Sequence, residues 1–109
     1  MVLPSRLEFA VTSDEIVKGL SGRQYLGFDE GMLFVMSYPN TIWMPDMHFP
    51  IDIIWLDRRW IVVDIVEHVP PCIPGQECPE YLASAHFDLV LEVAAGFVKM
   101  FGVERGQHI

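Results

Sequence analysis

Positive charge is scarce in this chain. Only 7 of its 109 residues are Lys or Arg, against 15 Asp and Glu, for a net charge of −8 with His neutral. A phosphate-backbone binder needs clustered cations. Here only Arg58 and Arg59 are adjacent, so no nucleic-acid partner is expected. Long apolar runs are also missing. The most apolar stretch, residues 89–103, is broken by Glu92 and Lys99, whereas a membrane span needs about 20 apolar residues. No membrane span is expected. The opening MVLPSRLEF lacks the charged-then-apolar pattern of a leader. The Gly102-Val103-Glu104-Arg105-Gly106 turn lacks the Lys and Ser or Thr that follow the last glycine of a phosphate loop. No cofactor is expected.

Cysteine is nearly absent. Cys72 and Cys78 are the only two, with five residues between them. Such a pair is expected to close a small disulfide loop, with two free thiols as the alternative. His68 and His86 flank it, so His68, Cys72, Cys78 and His86 form a zinc-type ligand set. Structural zinc favours closer cysteines, which ranks that set third.

What is abundant is apolar residues, at 51%. That excludes a disordered chain, and the length suggests one domain over residues 1–109. Residues 7–11 alternate as a half-buried strand. Thr12 to Glu15 has the form of a capping box, and Ile16, Val17 and Leu20 fall on one helical face. Residues 32–36 form an apolar run that predicts a strand buried on both faces. Residues 41–44 predict a strand stopped by Pro45. Residues 51–56 and 60–66 predict a hairpin turning at 57–59. Residues 70–79, with four prolines, predict an ordered loop. Residues 87–93 predict a strand and 94–101 a helix ended by Gly102; a last short strand follows. The fold class expected is mainly β (α+β): a compact, barrel-like sheet of about six or seven short strands with two short helices.

Four ordered segments carry a family resemblance. Gly19-Leu20-Ser21-Gly22-Arg23 resembles a Gly-Leu-Met-x-Arg motif. Gly31-Met32-Leu33-Phe34-Val35 resembles Gly-Met-Leu-Phe-x-Phe. Trp43-Met44-Pro45-Asp46-Met47, with the strand that follows Pro50, resembles Trp-Met-Lys-Asn-Thr and a Leu-Asp-x-x-Phe-x-Asp strand. Leu91-Glu92-Val93-Ala94-Ala95-Gly96 resembles Leu-Glu-x-x-Ala-Gly, before a glycine-framed ending in which Gln107 stands for the usual Asp. In this order, over nearly the whole chain, they resemble the uncharacterised family called domain of unknown function one-nine-two. The resemblance implies a small, mostly β fold with a barrel-like core. Members of that family are often exported, but no leader pattern is visible here, so compartment is left open.

The candidate binding residues are Arg23, Trp43, Met44, Asp46, His48 and Asp52. Pro45 and Pro50 bracket the loop that holds Asp46 and His48, and rigid loops commonly carry binding. His48 is a possible general acid or base oriented by Asp46 or Asp52. The structural alternative is that Asp52 pairs with Arg23 in the core. Met32, Met36, Met44 and Met47 beside His48 have the softness of a Cu(I) site, although methionine commonly fills cores. Glu92, inside an apolar strand, stands out with Asp46 and Asp52 among otherwise surface-type acids. With no Ser or Cys nucleophile in the motifs, the expectation is a non-catalytic module. It would bind a small ligand or a protein partner through residues 43–51 and the Cys loop. The alternatives are a small enzyme using Asp52, His48 and Arg23, or a metal-handling protein. Oligomeric state is left open.

Overall fold

Alternation and capping decide where the elements fall. The computed structural model describes residues 3–72 and 75–109; Ile73 and Pro74, inside the expected Cys loop, lie outside the described residues. Strand β1 covers Arg6–Ala10. The helix α1, Ser13–Lys18, starts on a complete capping box: Thr12 accepts from the Glu15 N–H, and Glu15 returns a bond to the Thr12 N–H. Then follow β2 at Glu30–Phe34, β3 at Ile42–Trp43, β4 at Ile51–Leu56, β5 at Val62–Val69, β6 at Glu80–Tyr81, β7 at Leu89–Ala94 and the helix α2 at Phe97–Phe101.

Five strands form one sheet in the order β1-β2-β7-β4-β5, and β3 pairs with β6 in a separate ribbon. β1 runs parallel to β2, reached by a crossover through α1, while the other neighbours are antiparallel. The sheet is open, with β1 and β5 at its edges; the expected barrel-like closure is corrected to an open sheet covered on both faces. The burial shows why. All six residues of β4 are buried, which requires cover on both faces rather than one enclosed interior. One apolar cluster joins Met32, Phe34, Ile51, Ile53, Trp55 and Val90 to Leu20, Met44 and Met47. The other joins Leu33, Ile54, Leu56, Leu91 and Val93 to Phe97, Val98 and Val103. Alternate residues of each central strand supply the two clusters, as the two-residue period requires.

Several boundaries differ from the sequence expectation for local reasons. Val35 and Met36 lie beyond β2. The hairpin turn extends through Trp60, which has φ 64°. Asp57 organises that turn by accepting from the Arg59 and Ile61 N–H groups. The helix expected at 94–101 begins only at Phe97, because Ala94 still pairs in β7 with Ile51 and Gly96 turns the chain at φ 95°, a conformation that favours glycine. The expected last strand is a single bridge, Ile61 to His108. Gln107 closes its turn by donating to the Gly102 carbonyl and accepting from the Glu104 N–H.

Candidate functional site

A cleft of about 260 Å³ opens on the first face of the sheet. One wall is the end of α1 and the turn after it, with Ile16, Val17, Gly19 and Leu20. The facing wall is formed by Ile42, Trp43, Met44 and Met47. Phe34, Met36 and Glu92 also line it. Local chemistry shapes both walls. Gly19 has φ 49°, and a Cβ there would stand 3.2 Å from the Phe34 ring, so glycine lets α1 end tight against β2. The Gly22 N–H donates to the Asp46 carbonyl at 2.9 Å, tying the wall after α1 to the wall after β3. The Cys72 N–H donates to the Met44 carbonyl at 3.1 Å, so the Cys loop braces the second wall. Cys72 and Cys78 are joined by a disulfide.

Glu92 is the unusual group. It sits in the middle of β7, opposite Met32 on β2 and Ile53 on β4. Those neighbours share its face and offer no counter-charge. Only 4% of the residue is exposed. Its carboxyl has no hydrogen-bond partner among the described residues, and the residue lines the cleft. Burial pushes this carboxyl up to about 8, so near neutral pH it is mostly the neutral acid. The rest of the lining mixes apolar side chains with Lys18 and Asn40, with Trp43 at the mouth, 56% exposed. Its two hydroxyls are engaged: Ser21 donates to the Lys18 carbonyl and Thr41 to the Glu80 carboxylate.

The candidate residues named from sequence separate into four places. Trp43 and Met44 line the cleft. Asp46 and His48 share the exposed loop behind it, with His48 Nε2 3.8 Å from Asp46 Oδ1. Asp52 and Arg23 do not meet, which corrects the expected core pair. Arg23 forks onto Glu8 of β1, and this hydrogen-bonded guanidinium holds the Glu8 carboxyl below its usual range. Asp52 is wholly buried on the opposite side of β4, in the stripe with Ile54 and Leu56. Its Oδ1 accepts from the His68 N–H at 2.9 Å. Its Oδ2 accepts from the N–H groups of Gly96 at 3.1 Å and Val98 at 2.9 Å. Asp52 is thus the cap of α2, supplied from a strand rather than from the helix's own first residue. Neither Arg23 nor His48 approaches it, so Asp52, His48 and Arg23 form no constellation.

The zinc-type set is also dispersed. The disulfide occupies both sulfurs, and His86 turns to Asp88 at 3.4 Å. Among the described residues no group of three or more His, Cys, Asp or Glu side chains is placed to hold a metal ion. Of the methionines, Met36, Met44 and Met47 reach the cleft while Met32 packs in the core and His48 stays outside the lining. No helix of the described residues is long and apolar enough to cross a membrane.

The comparisons with known proteins agree with this architecture. No curated protein matches the chain significantly. A crystal structure from Sinorhizobium meliloti, described as that of a "putative transcription regulator", superposes with a TM-score of 0.79 at 28% identity. It covers 92% of this chain and 76% of the other. A protein of unknown function from Novosphingobium aromaticivorans superposes with a TM-score of 0.79 at 31% identity, covering 92% and 70%. The family model DUF192, described as uncharacterized ACR, matches residues 3–109. With that match spanning essentially the whole chain, and the four motif segments in their family order, the protein belongs to the DUF192 family, whose function is unknown.

Proposed function

We propose that this protein is a non-catalytic binding module that takes a small, mostly apolar ligand in the cleft between α1 and residues 42–47. One observation carries the reading. All four segments that resemble the family contribute to the same cleft, around a buried carboxyl without a hydrogen-bond partner among the described residues: Gly19 to Ser21, Phe34, Trp43 to Pro45 with Met47, and Glu92. Apolar and aromatic side chains with a few placed polar groups are the usual form of a small-molecule site. The cleft is below the ~300–1,000 Å³ typical of drug-sized sites, so its occupant is small. The engaged hydroxyls and the absence of a His or Cys from the lining favour binding over nucleophilic catalysis.

The neighbour described as a "putative transcription regulator" raises a DNA-linked role. The charge layout supports the small-ligand reading instead. Arg6, Arg23 and Arg105 are ion-paired with acids, and Arg58 and Arg59 lie beside Asp57 and Asp88. A polyanion would meet a net charge of −8.

Methionine-methyl NMR with a set of small apolar fragments tests the reading. Binders should shift the Met36, Met44 and Met47 methyls and lose affinity in Trp43→Ala. A screen to millimolar concentration that leaves all three methyls unmoved would refute it.

A further inference from the structure

We propose that the cleft selects an organic ammonium ion, a small primary amine with an apolar body, whose charge seats on Glu92. The inference rests on the binding reading above and names its ligand class. The geometry leaves one buried carboxyl lining the cleft with no cation paired to it among the described residues. From β2 it faces Met32, and from β4 it faces Ile53. From residues 40–47 the lining supplies Asn40, Thr41, Ile42, Trp43, Met44, Pro45 and Met47, none of them charged. From α1 the only charged lining residue is Lys18, which is exposed and can turn its ammonium to water along a flexible stem. Asp64, opposite Trp55 on the same face, is taken up by Arg105 and the N–H groups of Ser84 and Ile65.

An ammonium guest supplies what this site lacks. A carboxylate guest would bring a second acid toward Glu92 in a protein of net charge −8. An alcohol would offer the neutral acid only a hydrogen bond, with no charge to stabilise the carboxylate. The surroundings also suit a cation: the indole of Trp43 stands at the mouth, and the thioethers of Met36, Met44 and Met47 are polarisable. Proton balance follows directly. Burial holds the Glu92 carboxyl at about 8, while an alkylamine stays protonated to roughly 10.4, as lysine does. At neutral pH the ammonium therefore enters charged, and the proton on Glu92 leaves to solvent.

Calorimetry with n-pentylamine, pentan-1-ol and pentanoate, from pH 6 to 9 in buffers of different ionisation heat, tests this. Pentylamine should bind most tightly at pH 8. Its affinity should rise roughly tenfold from pH 6 to 7 and flatten above pH 8, with about one proton released per amine at pH 6. Glu92→Gln should lose pentylamine at least roughly tenfold at pH 8 and abolish the pH dependence. If that variant fails to fold, the wild-type pH series decides alone. Pentan-1-ol or pentanoate binding as tightly as the amine at pH 8, or an amine affinity flat across pH, would overturn the ammonium assignment and leave the cleft reading standing. If none of the three shifts the cleft methionine methyls, this assignment fails for want of a site, and the fragment screen decides the broader reading.

Discussion

Replacing Glu92 by Gln should make the protein more stable, by an amount that grows with pH. In the unfolded chain this carboxyl titrates near its ordinary value of 4.5; in the fold, burial moves it to about 8. A raised carboxyl means that the folded state holds a proton that the unfolded state has released. Stability is therefore fully present below about pH 4.5, falls by about 1.4 kcal/mol per pH unit up to about pH 8, and levels off above. The difference of 3.5 units corresponds to roughly 5 kcal/mol by pH 8, and to roughly 3 kcal/mol at pH 7. Glutamine has nearly the same shape and no such titration. Other groups titrate in both proteins and cancel in the difference. Urea unfolding followed by tryptophan fluorescence, at one-unit steps from pH 4 to 9, gives the two stability curves. They should meet near pH 4 and separate steadily to pH 8. Parallel curves would mean that Glu92 is solvated or paired, and that the isolated carboxyl of the cleft does not exist.

Three further outcomes follow from the packing. Asp52→Ala strands the N–H groups of His68, Gly96 and Val98 and should cost about 3–5 kcal/mol; hydrogen exchange should show α2 opening first, whereas protection of α2 equal to wild type would contradict the cap. Thr12→Ala removes the oxygen that caps α1 and should cost about 1 kcal/mol, with weaker binding of any cleft fragment because α1 forms one wall. Reducing the Cys72–Cys78 disulfide opens a loop with a sequence separation of 6 and should lower stability by about 2 kcal/mol on loop-closure entropy. Urea midpoints with and without reductant measure that loss, and an unchanged midpoint would count against it.

The two acids of the central strands show what could be seen in advance and what could not. Asp52 and Glu92 each interrupt an apolar run, and both stand apart from the otherwise surface-type acids. Alternation places Asp52 in the stripe with Ile54 and Leu56, and Glu92 in the opposite stripe of β7 with Val90. No local pattern says which stripe faces a cleft and which faces a helix. That depends on where α1, α2 and residues 42–47 pack. The expected Arg23–Asp52 pair failed for the same reason. The crossover that lays β1 beside β2 brings Glu8 to Arg23, while Asp52 faces the backbone of α2 across the sheet. The sequence marks Glu92 as an exception but not as a binding residue, because a sequence cannot show that a carboxyl lacks a partner.

The sequence by itself determined the local devices and the family. The capping box at Thr12 and Glu15, the β4–β5 hairpin, the closely spaced cysteines and the four family segments all depend on residues near one another along the chain. Only the tertiary structure decided that the sheet stays open, that Asp52 caps a helix 44 to 46 residues away in sequence, and that the buried Glu92 lines a cleft with no hydrogen-bond partner among the described residues. Capping and turn chemistry act over a few residues and leave their pattern in the sequence. Desolvation depends on every atom that surrounds a group, and those atoms come from segments that meet only when the chain folds.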